Sequence, residues 1–378
     1  MRVVRDLPTA EAEALLELTR DLVDGEVLPK VTAMESAAEF PREVFRTLGK
    51  AGLMGLAYPE EFGGGGQPYE VYLQVLEELA RGWAGLAVGV SVHTLSCFPV
   101  AQWGSEEQKQ RWLPDMLGGD LLGAYCLSEA HSGSDAAALS TKAVREGDDY
   151  VVSGAKAWVT HAGHADFYNL MVRTEDAGIS CLFADAATPG LVPQSPERKM
   201  GMRSAHTATI ALENARVPAD RLIAGEGEGF KIAMSALDGG RLGIAACAVG
   251  LSQAALELST SYAVERKQFG KAIAEFQGLS FMLADMATQV EAARALYLAA
   301  ARLKDRGKPY GPQASMAKLF ATDTAMRVTT DAVQVLGGAG YVEDFPAERY
   351  FREAKIMQIF EGTNQIQRLV IGRSLTPR

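Results

Sequence analysis

The residues with the most chemical promise lie near the C-terminus, in Ile356-Met357-Gln358-Ile359-Phe360-Glu361-Gly362-Thr363-Asn364-Gln365-Ile366-Gln367-Arg368. One carboxylate, Glu361, stands between Phe360 and Gly362 at a predicted helix end, and Thr363 is placed to cap the helix that follows. An acid with so apolar a flank loses hydration, so its pKa rises toward the range useful for removing a proton. The competing reading is an ordinary solvated turn acid.

Other segments carry weaker signals, each with a plainer alternative. Ala124-Tyr125-Cys126-Leu127-Ser128-Glu129-Ala130-His131-Ser132-Gly133-Ser134-Asp135 offers hydroxyls and free backbone N–H groups after an apolar strand start, enough to line an anion or a heteroaromatic edge, or only to make a Ser/Gly turn. Trp158 and Thr160 are two apart on a predicted strand, so they share a face suited to a planar ligand with a polar edge, or to a core. Asp238 and Arg241 lie one helical turn apart and either pair with each other or form a fork for a nucleotide end. Glu265-Arg266-Lys267-Gln268-Phe269-Gly270-Lys271, followed by Phe276-Gln277, is a basic cluster that can bind a pyrophosphate or face solvent. The glycines of Gln334-Val335-Leu336-Gly337-Gly338-Ala339-Gly340-Tyr341 can cap a helix or admit a close ligand.

Several chemistries are poor fits. The chain has no GxGxxG after a strand, no GxxxxGK[ST], no HExxH and no GxSxG. Its 5 histidines make no tight ligand set, so no metal is expected. A net charge of −10 repels phosphate backbones and argues against nucleic acid. The 4 cysteines are scattered among apolar neighbours without a CxxC pair, as in a reducing compartment.

The elements that must position these residues follow from periodicity. The 378 residues divide into an N-terminal helical domain (1–119), a middle, largely antiparallel β domain (120–224) and a C-terminal helix bundle (225–378), an α+β fold that is mainly α. In the first, Ala10 to Leu28 has helical spacing with Pro29 and Pro41 as stops, and Ser105-Glu106-Glu107-Gln108 has the form of a capping box closed by Gly118-Gly119. In the second, Tyr150 to Gly154, Phe167 to Val172, Ile179 to Ala184 and Thr207 to Leu212 read as strands. In the third, Met282, Met286, Val290, Ala293, Tyr297, Ala300 and Leu303 share one helix face, and Ala317, Ala321, Ala325, Val328, Ala332 and Val335 another. Trp83 to Gly104 lacks Asp, Glu, Lys and Arg, but its Ser91, His93, Thr94, Ser96, Pro99 and Gln102 indicate a buried core helix rather than a membrane span. Asp6, Glu11 and Glu13 interrupt any apolar signal core after Arg2 and Arg5, and Ser374-Leu375-Thr376-Pro377-Arg378 matches no address, so a cytoplasmic location is expected.

Taken together, in this order and spacing, the segments resemble the acyl-CoA dehydrogenase family along essentially the whole chain. The resemblance implies FAD held between the β domain and a four-helix bundle. It places Tyr125, Leu127, Ser128, Gly133 and Ser134 along the flavin strand, with Ser134 also near the acyl-CoA, and Trp158 and Thr160 against the ring's far side. It assigns Arg266, Gln268, Phe269, Phe276, Gln277, Gln334, Gly337 and Gly338 to the FAD adenine and pyrophosphate, partly across a subunit boundary. Thr363 and Gln365 fall beside the cofactor, Gly362 beside the substrate, and Asp238 and Arg241 at the CoA moiety. Glu361 occupies the catalytic base position of the larger branch of the family. Departures are Ser128 where Thr is usual, Ala130-His131 where a Pro-containing pair is common, and Phe360 where Tyr is frequent.

The activity so implied is α,β-dehydrogenation of a short or medium, branched or unbranched, acyl-CoA to a trans-2-enoyl-CoA. Glu361 would take the α proton as hydride leaves the β carbon for flavin N5. An electron-transfer flavoprotein as acceptor and a homotetramer are further implications. The alternatives are an oxidase or monooxygenase on the same scaffold that uses oxygen, and a non-catalytic helical binding protein.

Overall fold

A computed structural model describes residues 3–174 and 178–376. Arg2 and the last two residues of the tail, weighed above as address signals, lie outside the described residues.

The N-terminal part is helical: α1 (Ala10–Leu22), a wide helical turn (Val23–Val27), α2 (Leu28–Ala37), α3 (Arg42–Lys50), α4 (Tyr69–Gly82), α5 (Ala84–Trp103) and α6 (Glu106–Leu117). Pro29 does not stop the first helix, contrary to expectation. It occupies the first turn of α2, where the missing N–H has no intrahelical role, and the helix runs on to Ala38, which ends it at φ 51°. Pro41 is the N-cap of α3. The expected capping box forms, with Ser105 accepting from the Gln108 N–H and the Gln108 amide accepting from the Ser105 N–H. Helix α5 is apolar on every side and long enough to cross a membrane, but 89% of its apolar window is enclosed by its neighbours.

The middle part is a sheet of eight strands: β1 (Gly123–Cys126), β2 (Lys142–Glu146), β3 (Asp149–Thr160), β4 (Phe167–Thr174), β5 (Gly178–Asp185), β6 (Leu191–Pro193), β7 (Thr207–Pro218) and β8 (Leu222–Ile223). The order is β6-β7-β3-β2-β4-β5-β8, with β1 beside β4. Most pairs are antiparallel, but the sheet is mixed: β1 and β2 both run parallel to β4. The β2–β3 hairpin intervenes in sequence before β4, which supplies the crossover that parallel neighbours require. Helix α6 lies on this sheet through Trp112, stacked on Phe183 at 4.3 Å, which stacks in turn on Phe167.

The C-terminal part contains α7 (Gly229–Glu265), a small hairpin of β9 (Lys267–Gln268) and β10 (Lys271–Ala272), α8 (Gln277–Asp305), α9 (Gly311–Leu336), a single turn α10 (Gly338–Tyr341), α11 (Ala347–Met357) and α12 (Asn364–Leu375). Helices α4, α5, α7, α8, α9 and α11 share one apolar core, in which Met286, Val290, Ala293 and Tyr297 of α8 and Ala317, Ala321, Ala325 and Val328 of α9 are buried as their spacing predicted. Each large apolar side chain enclosed there contributes about 1.5–3 kcal/mol. The four cysteines are buried and unpaired.

A charged knot joins the N-terminal segment to the bundle. The fully buried Glu77 of α4 binds Arg5 at 2.9 Å and Arg294 of α8 at 3.0 Å, and accepts from the Tyr297 hydroxyl. Burial alone would push its carboxyl up, but the two guanidinium groups overcome that and hold it at about 2. Because this folded-state value is depressed, the knot stabilises the fold above the ordinary 4.5 and loses that contribution as pH falls toward about 2. Glu77→Gln is expected to cost about 3–5 kcal/mol, since two buried cations lose their counter-charge. The check is the unfolding midpoint in denaturant, whose difference from wild type should shrink as the solution is acidified.

Candidate active site

Glu361 sits in the bend between α11 and α12. The chain leaves α11 through bonds from the Ile359 and Phe360 N–H groups to the Ile356 carbonyl, and the Asn364 N–H closes the bend on the Gln358 carbonyl. Thr363 caps α12 by accepting from the Ile366 N–H at 3.2 Å. Between these anchors Glu361 and Gly362 both take left-handed backbone angles, φ 53° and 84°. Only Gly adopts that conformation freely, so Glu361 carries local strain that the surrounding bonds must hold.

The result is an acid that the protein leaves unbonded. Glu361 Oε2 is buried without a hydrogen-bond partner, and its backbone N–H has no acceptor among the described residues. Burial raises its pKa to about 7, against the opposing pull of Arg241 and Lys318. It is not the solvated turn acid of the competing reading.

Three helices and a strand enclose it. Helix α7 approaches through Gly240: a Cβ there would lie 2.9 Å from Glu361 Oε2 and 3.5 Å from Leu95 Cδ1 of α5, so the absence of a side chain makes room for the carboxylate. One residue on, Arg241 is buried and pairs with Asp238 at 2.5 Å, the first of the two readings given for these residues, while its Nε has no partner. Helix α9 supplies Lys318, fully buried, whose ammonium donates to the Gly362 carbonyl and to Asn364 Oδ1, each at 2.9 Å. Strand β1 supplies Tyr125, whose hydroxyl is buried without a partner. Burial pushes that phenol well above its ordinary range, with the charges of Cys181 and Glu361 adding to the shift.

The segment after β1 is fastened from beneath. Glu129 is buried against Lys156 at 2.7 Å and accepts from the Ser140 and Thr141 N–H groups, while Lys156 also donates to the Leu127 carbonyl. Burial would raise the Glu129 carboxyl; these bonds overcome it and hold it at about 2. Leu127 is buried, Ser128 half-buried, and Gly133 and Ser134 exposed. On β3 the register slips between Lys156 and Val159, and Trp158 falls in that bulge with φ 60° and 61% of its surface exposed. Left-handed backbone is uncommon for a residue with a bulky side chain, and the bulge turns this indole outward. Thr160, at the end of β3, is half-buried, with buried Val159 between it and Trp158.

The remaining candidates are not gathered here. Arg266, Gln268 and Phe269 stand exposed on the β9–β10 hairpin, with Phe276 half-buried and Gln277 exposed at the start of α8. Gln334, Gly337 and Gly338 are exposed at the end of α9, and Gln365 is exposed on α12. Phe269 is 92% exposed, as is 83% of Tyr341. Sequence reasoning passed over Gly240, Lys318 and the Glu129–Lys156 pair. Lys318 had a visible signal: it interrupts the alanine face of α9 between Ala314 and Ala321.

Comparison with known proteins agrees over the whole chain. Residues 9–120, 124–215 and 227–376 match the N-terminal, middle and C-terminal domains described for acyl-CoA dehydrogenases. The chain is 41% identical to the mitochondrial short-chain specific acyl-CoA dehydrogenase of Bos taurus, covering 99% of this chain and 92% of that one. Among solved structures, butyryl-CoA dehydrogenase from Megasphaera elsdenii superposes with a TM-score of 0.96 at 39% identity, over 98% of this chain and all 100% of that one. A chain solved under the description "Electron transferring flavoprotein of Acidaminococcus fermentans: Towards a mechanism of flavin-based electron bifurcation" gives 0.97 at 42% identity, over 99% and 100%. The acid in the C-terminal bend is thus set in a chain that belongs, over all three of its domains, to the acyl-CoA dehydrogenase family.

Proposed function

We propose that this FAD-dependent dehydrogenase oxidises a short-chain acyl-CoA thioester, with Glu361 removing the α proton. The observation that carries the proposal is that one residue presents both a buried, unbonded carboxylate oxygen and a free backbone N–H. The short chain is supported by the short-chain specific and butyryl-CoA dehydrogenases to which the chain is similar.

The residues fit a flavin. The Trp158 ring is open at its bulge, Ser128 and Thr160 present half-covered hydroxyls, and nothing stands within 4 Å of where a Gly133 side chain would be. Trp158, Thr160 and the stretch from Tyr125 to Ser134 would hold the ring. When bound, FAD supplies the acceptor for the hydride that leaves the β carbon.

An α C–H is a weak acid, and a carboxylate takes its proton only if the thioester oxygen is stabilised as charge builds there. The free Glu361 N–H is the donor this chain provides for that oxygen, and Glu361 Oε2 is the atom that receives the proton. Gly240 leaves the carboxylate space, and Arg241 and Lys318 favour its ionised form. Packing by α5, α7, α9 and β1 keeps water from Glu361 Oε2.

We further propose that Phe269, Tyr341 and the half-open Val342 are covered by a second copy of the chain in a homotetramer. Arg266, Gln268, Gln334, Gly337 and Gly338 would then contribute to an FAD pyrophosphate site, and Asp238 and Arg241 would lie toward the CoA end. An electron-transfer flavoprotein is the proposed acceptor, supported by the description of the Acidaminococcus fermentans chain.

Four outcomes are expected. Anaerobic mixing with butyryl-CoA bleaches the flavin of the wild-type protein, whereas Glu361→Gln keeps FAD and loses about 10²–10⁴-fold in reduction rate; an ordinary rate in that variant refutes the assignment. Because the base must be ionised and its pKa is raised to about 7, the wild-type rate climbs as pH rises through that value and then levels, as read by stopped-flow absorbance. Gly240→Ala, whose methyl meets Glu361 Oε2 at 2.9 Å, slows reduction while leaving FAD content unchanged. Arg266→Ala lowers the FAD retained through gel filtration, and full occupancy would count against the pyrophosphate role.

A further inference from the structure

Lys318 is fully buried, and one of its two acceptors already has another donor: the Gly362 carbonyl also accepts from Gln367 Nε2 at 2.8 Å. Asn364 Oδ1 relies on Lys318, because the single proton of the Thr322 hydroxyl goes to the Lys318 backbone carbonyl at 2.8 Å. A neutral donor at position 318 would serve both acceptors. Burying an ammonium where hydrogen bonding alone does not require it is costly, so its charge or its particular placement must matter.

We propose that Lys318 is a positioning residue for the Glu361 base, holding the strained Glu361–Gly362 bend by its bond to the Gly362 carbonyl and, while protonated, favouring the ionised carboxylate. The inference rests on reading Glu361 as the base. Lys318 grips the carbonyl of Gly362, the residue directly after Glu361, so its bond restrains the left-handed pair of residues from the α9 side, while Gln367 restrains it from α12 at both the Glu361 and Gly362 carbonyls. Asn364 extends the grip: it is bonded to Thr322 and to Asp323, and Asp323 also receives Gln358 and Arg368. Both ends of the bend are thus tied to one face of α9.

The charged and titratable groups around the pair come from several elements. Glu361 is faced by Arg241, itself paired with Asp238, from α7, by Tyr125 from β1 and by Lys318 from α9. Lys318 feels Glu361, Asp323 and Arg241. Arg241, paired with Asp238, exerts the larger pull on Glu361, and Lys318 adds to it. Burial lowers the Lys318 ammonium to about 7 against the pull of Glu361 and Asp323, so its charge favours the ionised base while it is protonated. Removing it disfavours the ionised base, so the titration of the reaction moves to higher pH.

The test compares wild type, Lys318→Met and Lys318→Gln as FAD-loaded enzyme, reduced anaerobically by butyryl-CoA across the pH range in stopped flow. Both variants should retain FAD and bind butyryl-CoA within about threefold of wild type, with the pH midpoint of reduction raised by about one unit or more. Lys318→Gln, which keeps a donor, should recover more of the high-pH plateau than Lys318→Met. A folded, FAD-loaded variant whose midpoint matches wild type overturns the proposal, because a merely structural lysine lowers the plateau without moving the midpoint. If neither variant accumulates, Gln367→Leu carries the test: it removes the other donor to Gly362 but leaves the ammonium, so its midpoint must stay at the wild-type value, and an upward shift overturns the proposal. Should wild type itself fail to bleach with any acyl-CoA, the base reading falls; should wild type bleach and the Lys318 variants titrate like it, only the role of Lys318 falls.

Discussion

A buried carboxylate with no hydrogen-bond partner is the constraint around which this molecule is arranged. Transfer of such a group from water is unfavourable, and a chain left to itself would turn Glu361 outward or give it a donor. Here the bend between α11 and α12 is pinned at both ends, the backbone is held left-handed, and α7 comes close only because position 240 lacks a side chain. The same geometry leaves the Glu361 N–H free. Acid and donor are therefore preorganised by the packing of four elements rather than by bonds to either group.

Such an arrangement needs a stiff frame, and the frame is tied by buried ion pairs between separate elements. Glu77 with Arg5 and Arg294 locks the N-terminal segment, α4 and α8 together. Glu129 with Lys156 anchors the loop after β1 to β3, close to the Trp158 bulge. Each pair is fully desolvated, so either partner alone would be far worse than both; this makes the relative placement of the elements specific even where the net stabilisation is modest. The aromatic stack of Trp112, Phe183 and Phe167 does the corresponding apolar work between α6 and the sheet.

Local signals in the sequence were reliable where a single element decides the outcome. The capping box at Ser105, the enclosed apolar helix α5 and the buried faces of α8 and α9 depend on periodicity and side-chain chemistry within one segment, and each forms as read. The expectation that failed depends on context. Pro29 reads as a stop, yet it is harmless in the first turn of a new helix, and a wide turn before it keeps the chain in line. The largely antiparallel sheet forms as read; that β1 and β2 run parallel to β4 is a detail strand patterns do not carry.

The amino-acid sequence by itself determined the order of helical, β and helical parts, the family, and the single acid in an apolar bend, because each rests on residue type and spacing along the chain. Only the tertiary structure decided that Glu361 is enclosed and unbonded, that Gly240 opens the space it occupies, that Trp158 stands in a bulge facing outward, and that Lys318 lies under the bend. Those facts arise where segments distant in sequence converge, as α9 and β1 do with the C-terminal bend. Desolvation and close approach are properties of that convergence, and no stretch of sequence holds them alone.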